Sequence, residues 1–264
     1  MLDFKTPING LIFTVLLLSA FLPVAQAELL HSYVFSGNAN DSVGGAHGTV
    51  YGATLTSDRF GNANSAYAFD GDDAIVSHFA SLTTGSFSLW ATWTGKDIVM
   101  LFNSGGNQQG PDLFFLGDSI SWNTWDSGAN KLVNISDTVI QDGLFHHYVV
   151  VNDEQSSQTT LYIDGDVAGV ANYRSRDSDV FTIGAASAIN GYGWTGEIDD
   201  VHIFDTALTQ LEVQALTSAP APVDVPAPLS FVFIYLGLAG WGFRRKKKRS
   251  SSERTSALEH VRAL

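Results

Sequence analysis

Aromatic side chains set among Asn, Asp and Gly are the residues of this chain best equipped to hold a ligand. Trp122 and Trp125 lie in the run SWNTWD at 121–126, and Asn190, Tyr192 and Trp194 in NGYGWTG at 190–196. Read as loops, both runs offer what a sugar ring takes up: a flat apolar surface for its C–H face, and amide or carboxylate groups for its hydroxyls. The competing reading packs the same aromatics over the ends of the fold, where they bind nothing. His146 and His147 adjoin at a strand start. A zinc site would need a third ligand beside them, so they read as core or edge histidines.

Several chemistries are absent. The chain has no cysteine, which removes thiol catalysis, Cys-ligated zinc and disulfides together. It contains no G-x-S-x-G elbow and no phosphate-binding P-loop. The Gly191 to Gly196 stretch mimics G-x-G-x-x-G but precedes a strand rather than a helix, which is the wrong context for a dinucleotide. The formal charge of −13 hides a segregation: residues 28–228 hold five Lys or Arg against 24 Asp or Glu, a difference of −19. So acidic a surface repels phosphate backbones, and no nucleic-acid partner is expected. The acidity serves solubility, or some of the carboxylates hold divalent cations.

These residues need a scaffold, and the pattern between 30 and 204 supplies one. Short runs alternate apolar and polar residues, separated by Gly, Asn and Asp clusters, as in antiparallel sheets. Strands are expected at Leu29 to Phe35, Ala66 to Phe69, Ala74 to Ser77, Phe87 to Trp93, Ile98 to Asn103, Asp112 to Leu116, Ser119 to Trp122, Phe145 to Asn152, Thr159 to Ile163, Asp179 to Ile183 and Glu197 to Phe204. Asp164-Gly165 reads as the tight turn of a hairpin between Thr159–Ile163 and Val167–Val170. Alternation puts Phe87, Leu89, Ala91 and Trp93 on one face and leaves Trp90 open to solvent or a cleft. In the last strand it puts Asp199 at the head of the core face with Val201 and Ile203, and turns Asp200, His202 and Phe204 away. Thr206 to Leu216 spaces Leu208, Leu211, Val213 and Leu216 as a short closing helix with Thr206 as its N-cap.

Seven segments, in order, resemble the laminin-G-like jelly roll of the concanavalin A-like lectin and glucanase superfamily: YVFSGNANDSVGGAHG (33–48), DRFGNANSAYAFDG (58–71), FSLW (87–90), GLFHHY (143–148), LYIDG (161–165), FTIG (181–184) and GEIDDVHIFDTAL (196–208). The resemblance implies an all-β, two-sheet antiparallel jelly-roll sandwich. It also implies a calcium ion at the rim, structural or bridging to ligand, with Asp41 and Asp199 at the matching positions; the alternatives are a turn-capping Asp41 and an internally bonded Asp199. Glucanases of the superfamily carry two carboxylates on one strand. Glu197-Ile198-Asp199 begins such a spacing, but 201 is Val and 202 is His, so no catalytic residue is expected.

The two ends read as targeting segments. Lys5, the apolar run Leu11 to Leu22 and Ala25-Gln26-Ala27 resemble a signal peptide over 1–27, ahead of a domain at 28–217. A Pro-rich linker covers 218–228. Val225, Pro226 and Pro228, the apolar run 229–243 and a basic cluster led by Arg244 and Arg245 resemble a PEP-CTERM sorting signal over 225–249, processed by an exosortase-type enzyme of Gram-negative bacteria, with a polar tail at 250–264. The 15-residue apolar run would make a short transmembrane helix of ~22 Å against a ~30 Å hydrocarbon core, which suits a transient anchor better than a permanent one. Ala227, where such signals usually carry Glu, and the tail beyond the basic cluster depart from the pattern and leave a plain membrane anchor open. The expectation as a whole is an exported, non-enzymatic binding protein of the cell envelope, cell surface or extracellular matrix. Its partner would be a polysaccharide or glycoprotein, the alternatives being a glycoside hydrolase and a structural matrix protein.

Overall fold

The computed structural model describes residues 27–80, 82–93, 98–104, 112–126, 129–136, 140–172, 179–187 and 192–219. The expected sorting segment and nearly all of the expected signal peptide lie outside them. Among the described residues no helix is long and apolar enough to cross a membrane.

Those residues form two antiparallel sheets. Fifteen strands run in chain order: β1 (Leu29–Tyr33), β2 (Thr49–Tyr51), β3 (Thr54–Thr56), β4 (Ala66–Asp70), β5 (Ala74–His78), β6 (Gly85–Ala91), β7 (Ile98–Ser104), β8 (Asp112–Leu116), β9 (Ser119–Asp126), β10 (Ala129–Ser136), β11 (His146–Asp153), β12 (Gln158–Ile163), β13 (Asp166–Asn172), β14 (Val180–Ile183) and β15 (Thr195–Phe204). The first sheet has the order β13-β12-β11-β6-β15-β4-β3, and the second β10-β9-β8-β7-β14-β5-β2. β15 keeps β6 on one edge and divides the other between β4, at Thr195 to Ile198, and β1, at Val201 to Phe204. The expected two-sheet sandwich is therefore what forms.

The sequence pattern omits β2, β3 and β10. The first two are three residues long, too short for an alternation to register. β10, ANKLVNIS, mixes polar residues through an edge strand. The hairpin turn behaves as expected: Asp164 and Gly165 take φ of 52° and 89°, both positive, as a type I′ turn requires.

The core lies between the sheets, where Phe87, Leu89, Ala91 and Trp93 of the β6 run meet Phe102, Phe115, Trp122 and Phe181 from the facing sheet. Helix α1 (Gln210–Thr217) covers part of the outer face of the first sheet. Its Val213, with Leu208, packs on Val149, Val151, Tyr162 and Phe204. The helix starts later than expected because Thr209, not Thr206, is the N-cap. Thr209 and Glu212 form a reciprocal capping box, a T-x-x-E signature visible in the sequence. Leu211, expected in the apolar stripe, points to solvent.

Gly169 of β13 sets how closely the two sheets approach along one edge: a Cβ there would stand 1.5 Å from the carbonyl oxygen of Ile135 in β10. Since backbone cannot yield as a flexible side chain does, Gly169→Ala is expected to cost roughly 2 kcal/mol or more, read as a lowered denaturation midpoint with an unchanged m-value.

Candidate ligand-binding site

An extra residue in the last strand decides which side chains reach the outer face of the first sheet. Asp199 pairs with Trp90 and His202 with Ser88, so three steps along β15 oppose two along β6, and Asp200 takes a positive φ of 43°. This is a β-bulge. It lets Ile198 and Val201, three apart, both enter the core, and it turns Asp199 and Asp200 outward together. The expected placement of Asp199 on the core face is thus corrected: simple alternation fails at the bulge.

Both carboxylates meet Arg59. Its Nη1 donates to Oδ2 of Asp199 and, at 2.7 Å, to Oδ2 of Asp200. Arg59 reaches them from a loop fixed by Asp58, whose carboxylate accepts the backbone N–H of Phe60 and Asn62 and the side-chain amide of Asn62. The guanidinium carbon stands 4.3 Å from the Phe60 ring centroid and 4.7 Å from that of Trp90, near enough for cation–π attraction to both. Burial and the charge of Asp200 push the Asp199 carboxyl up to about 7 in spite of Arg59.

On the other side of Trp90, the β11 partner His147 stacks at 4.8 Å and 19°. The Thr217 hydroxyl donates to the Val213 carbonyl, so it accepts from His147 Nδ1–H at 2.7 Å. His147 Nε2 therefore accepts from the Ser88 hydroxyl at 2.8 Å. Burial and the nearby Arg59 push this imidazole down to about 3, so it is neutral and ties β11 to the last turn of α1. The row His147, Trp90, Arg59, Asp199 runs across three adjacent strands as one packed layer.

Beside this layer opens a cavity of about 440 Å³. Arg59, Trp90, Thr92, Glu197 and Thr217 line it with Phe60, Leu144 and Phe145, and Phe60 and Leu144 remain 42% and 64% exposed at its rim. The backbone of Glu197 pairs with Thr92 through N–H to Oγ1 at 2.8 Å and C=O to N–H at 2.9 Å, and its Oε1 accepts from the Thr56 hydroxyl at 3.2 Å. Gly196 permits this crossing, since a Cβ there would lie 2.2 Å from the Thr92 carbonyl oxygen. The Leu144 lip is pinned by His146, whose Nδ1 lies 2.6 Å from Asp164 Oδ2 and whose Nε2 lies 3.2 Å from Asp142 Oδ1. Burial alone would lower its pKa, and the two carboxylates raise it.

The expected ligand aromatics lie elsewhere. Trp122 and Trp194 are 0% exposed. Trp122 sits in strand β9 against Phe102, and Trp194 packs on Trp93 and Phe115 with its indole N–H donating to the Thr92 carbonyl. Both belong to the core, because the segments read as loops are a strand and a tucked strand entry. Tyr192 alone of the five is seen at the surface, 43% exposed. The side chain of Trp125 and the whole of Asn190 lie outside the described residues. Sequence reasoning missed Arg59, Phe60 and Leu144. The available signal was scarcity: Arg59 is one of five basic residues in 28–228 and follows an Asp that starts a turn.

Asp41 organises its own loop. One oxygen accepts the N–H groups of Ser32, Val43 and Gly44, and the other takes His31 Nδ1 and Ala46 N–H. Burial alone would raise its pKa, but these donors hold it well below the usual carboxylate range. Among the described residues, the group of three acidic side chains whose ligand atoms converge within 4.8 Å is Asp70, Asp72 and Asp73, which includes neither Asp41 nor Asp199.

Residues 69–214, more than half of the chain, match the family model of the concanavalin A-like lectin/glucanases superfamily, and the chain belongs to that family. Among solved structures it is similar to the receptor-binding domain of botulinum neurotoxin C/D mosaic serotype (TM-score 0.57, 14% identity, 72% of this chain and 50% of that one). It is also similar to the binding domain of Paraclostridial Mosquitocidal Protein 1 (0.57, 19%, 72% and 51%) and to the botulinum neurotoxin serotype D binding domain (0.56, 15%, 72% and 51%). The chain spans about half the length of these proteins, and at such identity the likeness is one of fold. No curated protein matches the sequence.

The charges of this face and of the Asp41 loop lead to two predictions. Arg59→Met leaves two adjacent buried carboxylates without their cation and is expected to cost roughly 3–5 kcal/mol, most of it recovered when Asp199→Asn and Asp200→Asn are added. A double-mutant cycle by urea denaturation checks this. Asp199 binds its proton more tightly in the fold than in the unfolded chain, so its contribution to stability falls as pH rises from about 4 to about 7. Asp41, shifted the other way, contributes stability above about 4 that is lost as pH falls. Thermal melts from pH 3 to 8 are therefore expected to show a neutral-side decline that Asp199→Asn flattens and an acid-side decline that Asp41→Asn flattens.

Proposed function

We propose that this protein is an exported, non-catalytic binding module that holds a saccharide, free or on a glycoprotein, in the cavity beside Arg59 and Trp90. The observation that carries the reading is the cavity's composition: Phe60, Leu144 and Phe145 supply apolar surface for a ring face, and Thr92, Glu197 and Thr217 supply hydroxyl and carboxylate groups for its alcohols. Neighbours of this fold described as binding and receptor-binding domains support a recognition role. The missing second carboxylate supports its non-catalytic side. Glu197 lines the cavity, Asp199 is committed to Arg59, and position 202 is histidine. In this reading the N-terminal 27 residues direct export and the 225–249 segment directs exosortase-type processing at the envelope.

Affinity electrophoresis of the full chain through gels of different polysaccharides tests the reading. At least one polymer is expected to retard it, and Phe60→Ala with Leu144→Ala to weaken retardation about tenfold, whereas Tyr192→Ala, away from the cavity, leaves it unchanged. Because Asp41 and Asp199 are engaged by protein donors, retardation is expected to survive a calcium chelator. Unretarded migration in every gel would overturn the saccharide reading, and release of reducing ends lost in Glu197→Gln would replace it with hydrolysis.

A further inference from the structure

We propose that the cavity takes neutral saccharides and excludes glycans bearing uronate, sialate or sulfate groups, an inference that rests on the saccharide reading above. The geometry of charge around the cavity leads to it. Among the described residues its lining cation is Arg59, which already spends Nη1 on two carboxylates, Asp199 and Asp200. With Asp199 protonated, Asp200 still neutralises the guanidinium; with Asp199 ionised, the trio is net negative.

Among the described residues, the neighbouring histidines of this face add no positive charge. His147 is held neutral by burial, and burial lowers His202 as well. Glu197 contributes a carboxylate on the cavity wall. At the lip, His146 again stands between two carboxylates, Asp142 and Asp164, so any positive charge it carries is already matched. Among the described residues, Arg59 and His146 thus each meet two carboxyl groups within hydrogen-bonding distance.

An anionic sugar entering such a site would lose water and, among the described residues, meet only cations already shared with carboxylates, and the surplus of acidic residues over 28–228 would repel it on approach. Neutral hydroxyls meet no such penalty. The carboxylates around Arg59 therefore select by rejection as well as by contact.

The experiment measures binding of the full chain to a neutral glucan and to polygalacturonate of matched length, at low and at moderate salt. The expected result is affinity for the neutral polymer at least tenfold above that for the acidic one, a gap that narrows as salt screens the repulsion. Asp200→Asn frees part of the guanidinium and is expected to narrow the gap several-fold; Glu197→Gln, on the cavity wall and outside the Arg59 cluster, does the same if Asp200→Asn fails to fold. Binding of polygalacturonate as tight as that of the neutral glucan, weakened by salt, would overturn the inference while leaving the saccharide reading standing. Binding of neither polymer, nor of any other saccharide, would overturn both.

Discussion

Arg59 has to be neutralised where it lies, and much of the outer face is arranged around that requirement. A guanidinium pressed between Phe60 and Trp90 has exchanged most of its water for ring faces, and a buried cation without counter-charge would cost several kcal/mol. The bulge in β15 meets that demand by delivering two consecutive carboxylates to one point, which a regular strand cannot do because neighbouring side chains face opposite ways. The cost is a carboxyl, Asp199, pushed far above its ordinary range by burial and by its own neighbour Asp200.

From this pairing the cavity takes its shape. Arg59 steadies one side of the Trp90 ring and His147 the other, so the indole is fixed as a wall. Through Thr217, His147 also holds the end of α1 against the sheet, and through its backbone it shares the Asp164 turn that anchors His146 and the Leu144 lip. Floor, wall and lip thus come from the 58–62 loop, the approach to β11, β6, β15 and the helix end, elements distant in sequence and tied by polar contacts such as Arg59 to Asp199 and His147 to Thr217.

The sandwich itself was legible in the chain. Alternating runs such as FSLWATW at 87–93 gave strands and their core face, and Asp164-Gly165 gave a turn of the right type, since both are local patterns that tertiary packing had no reason to override. The T-x-x-E cap at Thr209 was equally local and readable. The three-residue strands β2 and β3 were not, because their pairing depends on partners far away in sequence.

By itself the sequence determined the fold class, the acid balance and the absence of thiol chemistry, because each of these depends on composition or on short-range period. Only the tertiary structure decided which side chains line the cavity. Trp122 and Trp194 looked like sugar platforms and are core, because exposure depends on which sheet lies opposite, not on neighbouring residues. Asp199 changed face because one inserted residue shifts the register of a strand, an event without a local signature. Arg59 gained its role only when a loop 140 residues away folded beside that bulge.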